Sequence, residues 1–176
     1  MTSWMATTAK NKFDFLDLTS NKFDMREIAN SLSMLCRFNG HVPTFYSVAQ
    51  HSVLVSNLCP KRHKLTGLLH DAMETYIGDI VSPLKQQVEI CGFTAEEYEQ
   101  LLWEKFSEQY NVPKKIPEVV KLADIEATLQ EAVFLGMDIS EWELGKPNSK
   151  FPMDKAWSWY EAKIEFLTTL KKVATL

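Results

Sequence analysis

No stretch of this 176-residue chain approaches the roughly 20 apolar residues that a membrane-spanning helix needs. Its first residues, MTSWMATTAKNKF, lack the apolar core of a secretory signal. Cysteine is scarce: Cys36, Cys59 and Cys91 stand at unrelated spacings with no CxxC pair. That argues against a disulfide framework or a thiolate metal site and suits reduced, buried thiols in a cytoplasmic protein. Positive charge is not in surplus either. The net charge of -4 offers no attraction to a nucleic acid polymer or an anionic membrane, so any phosphate site must be built from a few local cations. Internal repeats, low-complexity segments and Gly/Ser linkers are all missing, and one domain over 1–176 is the simplest organisation.

What is there reads as helix. Hydrophobic residues make up 45% and charged residues 24%, ordinary for a soluble protein with a real core. Residues 13–24 alternate apolar and polar around Ser20-Asn21, which predicts a small hairpin or extended arm. Asp24 caps a first helix through MREIANSLSMLCRF, with Ile28, Leu32 and Leu35 inward. A second begins near Ser47 and stops at Pro60. A third covers about 62–76, broken by Gly78. Thr94-Ala95-Glu96-Glu97 is a capping box opening a helix to about Tyr110. PEVVKLADIEATLQEAVFLG predicts a long helix ended by Gly136, followed by a polar loop over 137–153. A last helix runs over about 154–173. No strand pattern is strong enough for a central sheet, so the expected fold is an all-α bundle of about six helices with a short N-terminal extended arm or hairpin.

Four residues do not fit their apolar settings. His51 lies on the inward side of its helix in SVAQHSVLVS, His70-Asp71 follows Leu68-Leu69, and Asp124 sits between Ala123 and Ile125. A buried imidazole or carboxylate needs a partner, and a metal ion is one. A buried His–Asp hydrogen-bond network is the competing explanation. A two-His, two-Asp set suits one divalent transition metal: Zn, Co, Mn, Ni or Fe. Mg suits it less, except alongside substrate phosphates. The chain has four His in all, too few for the usual binuclear sets. His41 and His63 are read as ordinary loop and surface residues. Glu74 lies one helical turn beyond His70, and Asp79 follows just after that helix. Arg37, Lys85 and Lys121 are the cations placed to hold phosphate, with Lys121 one turn before Asp124. Trp142, Trp157, Trp159 and Tyr160 are read as core or subunit interface.

The segments RFNGH, YSVAQHSV, LLHDAMETYIGDIVSPLK and KLADIEATL together resemble the YfbR/YfdR-like branch of the HD-domain phosphohydrolases, with motifs in the same order over about 25–135. The resemblance implies an all-helical fold and a metal set of His51, His70, Asp71 and Asp124. It makes Glu74 and Asp79 the proton-handling pair, and it puts Phe38 and Pro83 against base or sugar. It implies hydrolysis of the 5′-phosphoester of a deoxyribonucleotide by water activated on the metal. Three cations favour a dNTP, with dATP the leading candidate, giving deoxynucleoside plus triphosphate. A dNMP 5′-nucleotidase is the alternative, and a non-catalytic sensor of metal and nucleotide is the alternative of another class. Family members are commonly homo-oligomers, and some come from phage, which would make the compartment the host cytoplasm. Gln50 stands where the family often has Glu, and Phe38 where it often has Trp, which leaves the base preference open.

Overall fold

The computed structural model describes residues 2–148 and 153–174. Among them helix dominates, with two small antiparallel strand pairs and no central sheet. Six helices have six or more residues: α1 (Met25–Met34), α2 (Val48–Leu58), α3 (Lys64–Leu69), α6 (Ala95–Tyr110), α7 (Glu118–Phe134) and α8 (Trp159–Val173). Two four-residue turns of helix, α4 (Glu74–Ile77) and α5 (Ser82–Lys85), lie between α3 and α6. The expected all-α bundle with an N-terminal hairpin is the fold found. No helix of the described residues is long and apolar enough to cross a membrane.

Local chemistry sets most of the ends. Asp24 accepts hydrogen bonds from the backbone N–H groups of Arg26 (2.7 Å) and Glu27 (3.2 Å) to open α1. Ser47 accepts from Gln50 N–H at 3.1 Å to open α2, and Thr94 with Glu97 forms the predicted capping box of α6. The N-terminal hairpin pairs β1 (Trp4–Ala6) with β2 (Lys12–Asp14), so its turn is at Thr7–Lys10 and not at Ser20-Asn21. Asn21 instead folds the arm back, bonding both the N–H and the C=O of Asp14 at 2.8 Å. The alternation over 13–24 comes from Phe13 and Phe23 reaching into the core. Phe13 stacks on Tyr76 at 3.9 Å between ring centroids, and Phe23 meets Tyr76 and Phe106 edge-on. A second hairpin, β3 (Glu89–Ile90) with β4 (Phe93–Thr94), turns through Cys91 and Gly92, both at positive φ.

Three expected boundaries differ. α1 stops at Met34, and the chain leaves extended, pairing Cys36 with Ser47; Arg37 therefore sits in this connector and not at a helix end. α8 begins at Trp159, not near 154, because Ser158 and Glu161 form a capping box that fixes its start. The segment expected as one helix over 62–76 is broken at the His-Asp pair. From Leu69 to Tyr76 the backbone closes tight turns: Ala72 N–H to Leu69 C=O, Glu74 to Asp71, Thr75 to Ala72 and Tyr76 to Met73. The predicted loop holds over 137–148; residues 149–152 lie outside the described residues.

α2 is the central helix. Nine of its eleven residues are buried, and it packs on α1, α3, α7 and α8. Gly67 makes the α2–α3 approach close: a Cβ there would lie 2.7 Å from Cys59 Sγ and 3.3 Å from Ser56 Cα. That contact brings the end of α3, and His70 with it, against the middle of α2. α7 crosses on another side and delivers Asp124.

Candidate metal centre

Three segments distant in sequence converge on one point. His51 Nε2 from α2 lies 3.0 Å from Asp124 Oδ1 of α7 and 3.4 Å from Asp71 Oδ2. His70 Nε2 lies 3.2 Å from Asp71 Oδ1 and 3.7 Å from Asp124 Oδ1. Asp71 thus offers one oxygen to each imidazole, and Asp124 offers the same oxygen to both. His51 is fully buried, His70 nearly so, and Asp124 opens the cluster to solvent with a side chain 38% exposed.

These short distances are charge contacts whose angles do not suit hydrogen bonds. Both Nε2 atoms are buried with no partner of hydrogen-bonding geometry. The other ring nitrogens are occupied: His51 Nδ1 faces the Glu131 carboxylate at 2.9 and 3.0 Å, and His70 Nδ1–H donates to the Gly67 carbonyl at 2.8 Å. Two orphaned buried nitrogens turned toward two carboxylates are what a divalent cation would satisfy. The donor set of imidazole and carboxylate fits Zn, Co, Mn, Ni or Fe, and His51, His70 and Asp124 by themselves form a group able to hold an ion. The local field points the same way. Burial and Arg37 oppose a positive charge on His51, yet Glu131 and Asp124 outweigh them and carry it up to about 9. Burial likewise pushes the Asp124 carboxyl up, but the two imidazoles prevail and hold it well below its ordinary value. The cluster attracts positive charge.

Around this centre the predicted residues fall into two groups. Arg37 is buried, not offered to solvent. Its Nε lies 3.0 Å from Glu131 Oε2, its Nη2 donates to Thr128 Oγ1 at 3.0 Å, and its Nη1 is 3.9 Å from Asp71. Lys85, at the end of α5, is bound to Glu99 at 2.7 Å and lies 3.7 Å from Glu74. Lys121 is exposed in the first turns of α7, and Pro83 is exposed in α5. Phe38 packs beside the Arg37 guanidinium, 5.2 Å from its ring, and 6.4 Å from the ring of Trp142. Its backbone is left-handed (φ 54°), an unfavoured state for an aromatic residue. Trp142 was read as core or interface from sequence; it is half-buried on the predicted loop, against Phe38.

Glu74 is buried, which excludes a solvated helix residue. The turns at the His-Asp pair close at three residues, so i and i+3 eclipse, and Glu74 joins Asp71 and, from α6, Glu99. Burial, together with Asp71, Asp79 and Glu99, pushes its carboxyl far up against the pull of Lys85, and its Oε2 has no hydrogen-bond partner. Asp79 follows Gly78, whose φ of 81° ends α4. Burial raises the Asp79 carboxyl as well, with Asp71 adding to it and Arg37, His51 and Lys85 opposing.

Glu131, Thr128, Glu99 and Tyr46 were missed. Glu131 is 0% exposed. A signal was available: Asp124, Thr128 and Glu131 stand at i, i+4 and i+7, one face of α7, and a Glu amid LQEAVF is as misplaced as an Asp amid LADIEA. Thr128 Oγ1 lies 3.4 Å from Asp124 Oδ1. Tyr46 is buried, and burial with the adjacent Glu131 pushes its hydroxyl pKa up.

Fold and site define an all-helical protein enclosing a His/Asp cluster that could hold a metal ion. No protein-family model matches the chain. It is 36% identical over 136 residues to the Uncharacterized protein YfdR of Escherichia coli (strain K12), covering 77% of this chain and 74% of that protein. The chain belongs to this YfdR-like family. It is also 29% identical over 162 residues to the Uncharacterized protein RCAP_rcc00048 of Rhodobacter capsulatus, covering 83% and 81%.

Proposed function

We propose that the protein is a metal-dependent phosphohydrolase that cleaves the 5′-phosphoester of deoxyribonucleotides, with one divalent transition metal held by His51, His70, Asp71 and Asp124. The observation that carries the reading is the pair of buried Nε2 atoms without hydrogen bonds, both turned to the same two carboxylates. When bound, such a cation polarises a phosphoryl group and acidifies water. In this reading Glu74 takes or gives a proton, with Asp79 as its companion; the support is that its Oε2 is buried and unpartnered beside Asp71. Phe38 and Trp142 supply an aromatic edge beside Arg37 against which a base can lie.

For the substrate, a dNTP hydrolysed to deoxynucleoside plus triphosphate rests on three cations, and dATP rests on the family resemblance. One observation favours the 5′-nucleotidase form: Arg37 and Lys85 are each engaged by carboxylates of the protein, so Lys121 alone of the three stands exposed. The proposed protein works in the cytoplasm, as a homo-oligomer, on small nucleotides.

The test is hydrolysis of a panel of dNTPs, dNMPs and ribonucleotides by metal-stripped protein resupplied with Co, Mn or Zn, with phosphorus products resolved. Triphosphate released from a dNTP supports the first form, and phosphate from monophosphates alone supports the second. If no nucleotide is turned over with any metal, the hydrolase reading falls.

A further inference from the structure

We infer that Glu131 is a positioning residue that fixes the metal-competent tautomer of His51 and ties it to Arg37. The inference rests on the metal reading above and goes beyond the four ligands.

Glu131 stands on α7 two turns beyond Asp124 and 80 residues from His51, wholly out of water. An ionised carboxylate only accepts hydrogen bonds. Placed 2.9 and 3.0 Å from His51 Nδ1, it keeps a ring proton on that nitrogen, so that Nε2, turned toward Asp71 and Asp124, is the nitrogen left for a metal ion. The same carboxylate has Arg37 Nε 3.0 Å from Oε2. It therefore meets the His51 ring on one side and the Arg37 guanidinium, as an ion pair, on the other, and Arg37 in turn reaches Thr128, which neighbours Asp124, and Asp71 itself. His70 gets its tautomer more simply, from the Gly67 carbonyl of its own turn. His51 has no such backbone partner for Nδ1, because on α2 the surrounding carbonyls belong to the helix. A buried carboxylate from another helix does that job.

The chemistry makes Glu131→Gln informative. A carboxamide has one accepting oxygen and one donating nitrogen. If the oxygen faces Arg37, the amide N–H₂ faces His51 Nδ1 and drives its proton to Nε2, where no metal can bind. If the oxygen faces His51, the amide N–H₂ opposes the Arg37 guanidinium. Glu131→Asp keeps both accepting oxygens, one methylene shorter.

The experiment is zinc affinity by competition with a chromophoric chelator, measured on wild type, E131Q and E131D, together with long-range ¹⁵N–¹H correlation of histidine rings in the zinc-loaded wild type. We expect E131Q to lose about 10–100-fold in affinity and E131D to fall between the two. In wild type, His51 should show a protonated Nδ1 and a metal-bound Nε2. Equal zinc affinity in wild type and E131Q overturns the inference while leaving the metal site intact. Wild type that takes up no zinc sinks the metal reading, and this inference with it. Should E131Q fail to fold, the ring nitrogens of wild type decide: zinc on Nδ1, or a proton on Nε2 of His51, overturns it.

Discussion

The rings of His51 and His70 lie 5.3 Å apart between centroids, tilted by 50°, one from the middle of α2 and the other just past the end of α3. The contact that makes this possible is Gly67, where α3 meets α2 without a side chain between them. A first prediction follows. Gly67→Ala places a methyl 2.7 Å from Cys59 Sγ and 3.3 Å from backbone at Ser56, and should destabilise by about 1–3 kcal/mol. Adding Cys59→Ala should recover part of that loss. Urea midpoints of the two variants measure it, and an unchanged midpoint for Gly67→Ala would mean that α2 and α3 yield freely.

Metal should stabilise the fold through the converging ligands. A divalent ion at about 100 times its Kd adds about 2.7 kcal/mol, or roughly 5–10 °C in Tm for a chain of this size. His51→Ala and Asp124→Asn should abolish the shift. Thermal melts with and without Zn or Co, beside elemental analysis of the purified protein, read it out. A shift that survives in both variants would place the ion elsewhere.

Glu74 is assigned proton transfer and not ligation, because it groups with Asp71 and Glu99 and not with the two histidines and Asp124. Glu74→Gln should therefore still bind metal while hydrolysis falls about 10²–10⁴-fold. Saturating-substrate rates on the panel above are the measurement. A variant as fast as wild type removes Glu74 from the chemistry.

Phe13 is the most buried anchor of the N-terminal arm before residue 20. Phe13 is 2% exposed and stacked on Tyr76, so Phe13→Ala should cost about 3–5 kcal/mol. Limited proteolysis should then cut before residue 20 in the variant and not in wild type. Cleavage at equal rates in both would show the arm to be loosely held.

Thiol chemistry gives a direct check on packing. Cys59 is buried, and burial pushes its thiol up to about 11, so at pH 8 only about a thousandth of it is thiolate. Cys91 is exposed. Iodoacetamide on the native protein should modify Cys91 and spare Cys59 until denaturant is added; rapid native labelling of Cys59 would contradict the α2–α3 packing.

The legible part of this protein was local. Asp24, Ser47 and the Thr94–Glu97 box each satisfy backbone N–H groups within three residues, so the starts of α1, α2 and α6 could be placed from spelling alone. The same rule applies at Ser158–Glu161, where a capping box sets the start of α8 at Trp159 and not near 154. The candidate metal ligands stood out because charged and imidazole groups in apolar settings need partners, and that mismatch shows without coordinates.

Tertiary structure decided the rest. Whether the His-Asp pair continues a helix or tightens depends on packing around it, and the tight turns there put Glu74 with Asp71 and Glu99. The partners of Arg37 and Lys85 are beyond sequence reading too: Thr128 is 91 residues from Arg37, and Glu99 is 14 residues from Lys85 across a hairpin. Spacing along the chain says nothing about which buried carboxylate a buried cation will meet. Composition, capping and periodicity determined an all-helical protein with a misfit His/Asp set, because those signals act within a turn or two. The convergence of α2, α3 and α7, and the choice of Glu131 as the carboxylate behind His51, came from helix packing, which sums contacts over the whole chain.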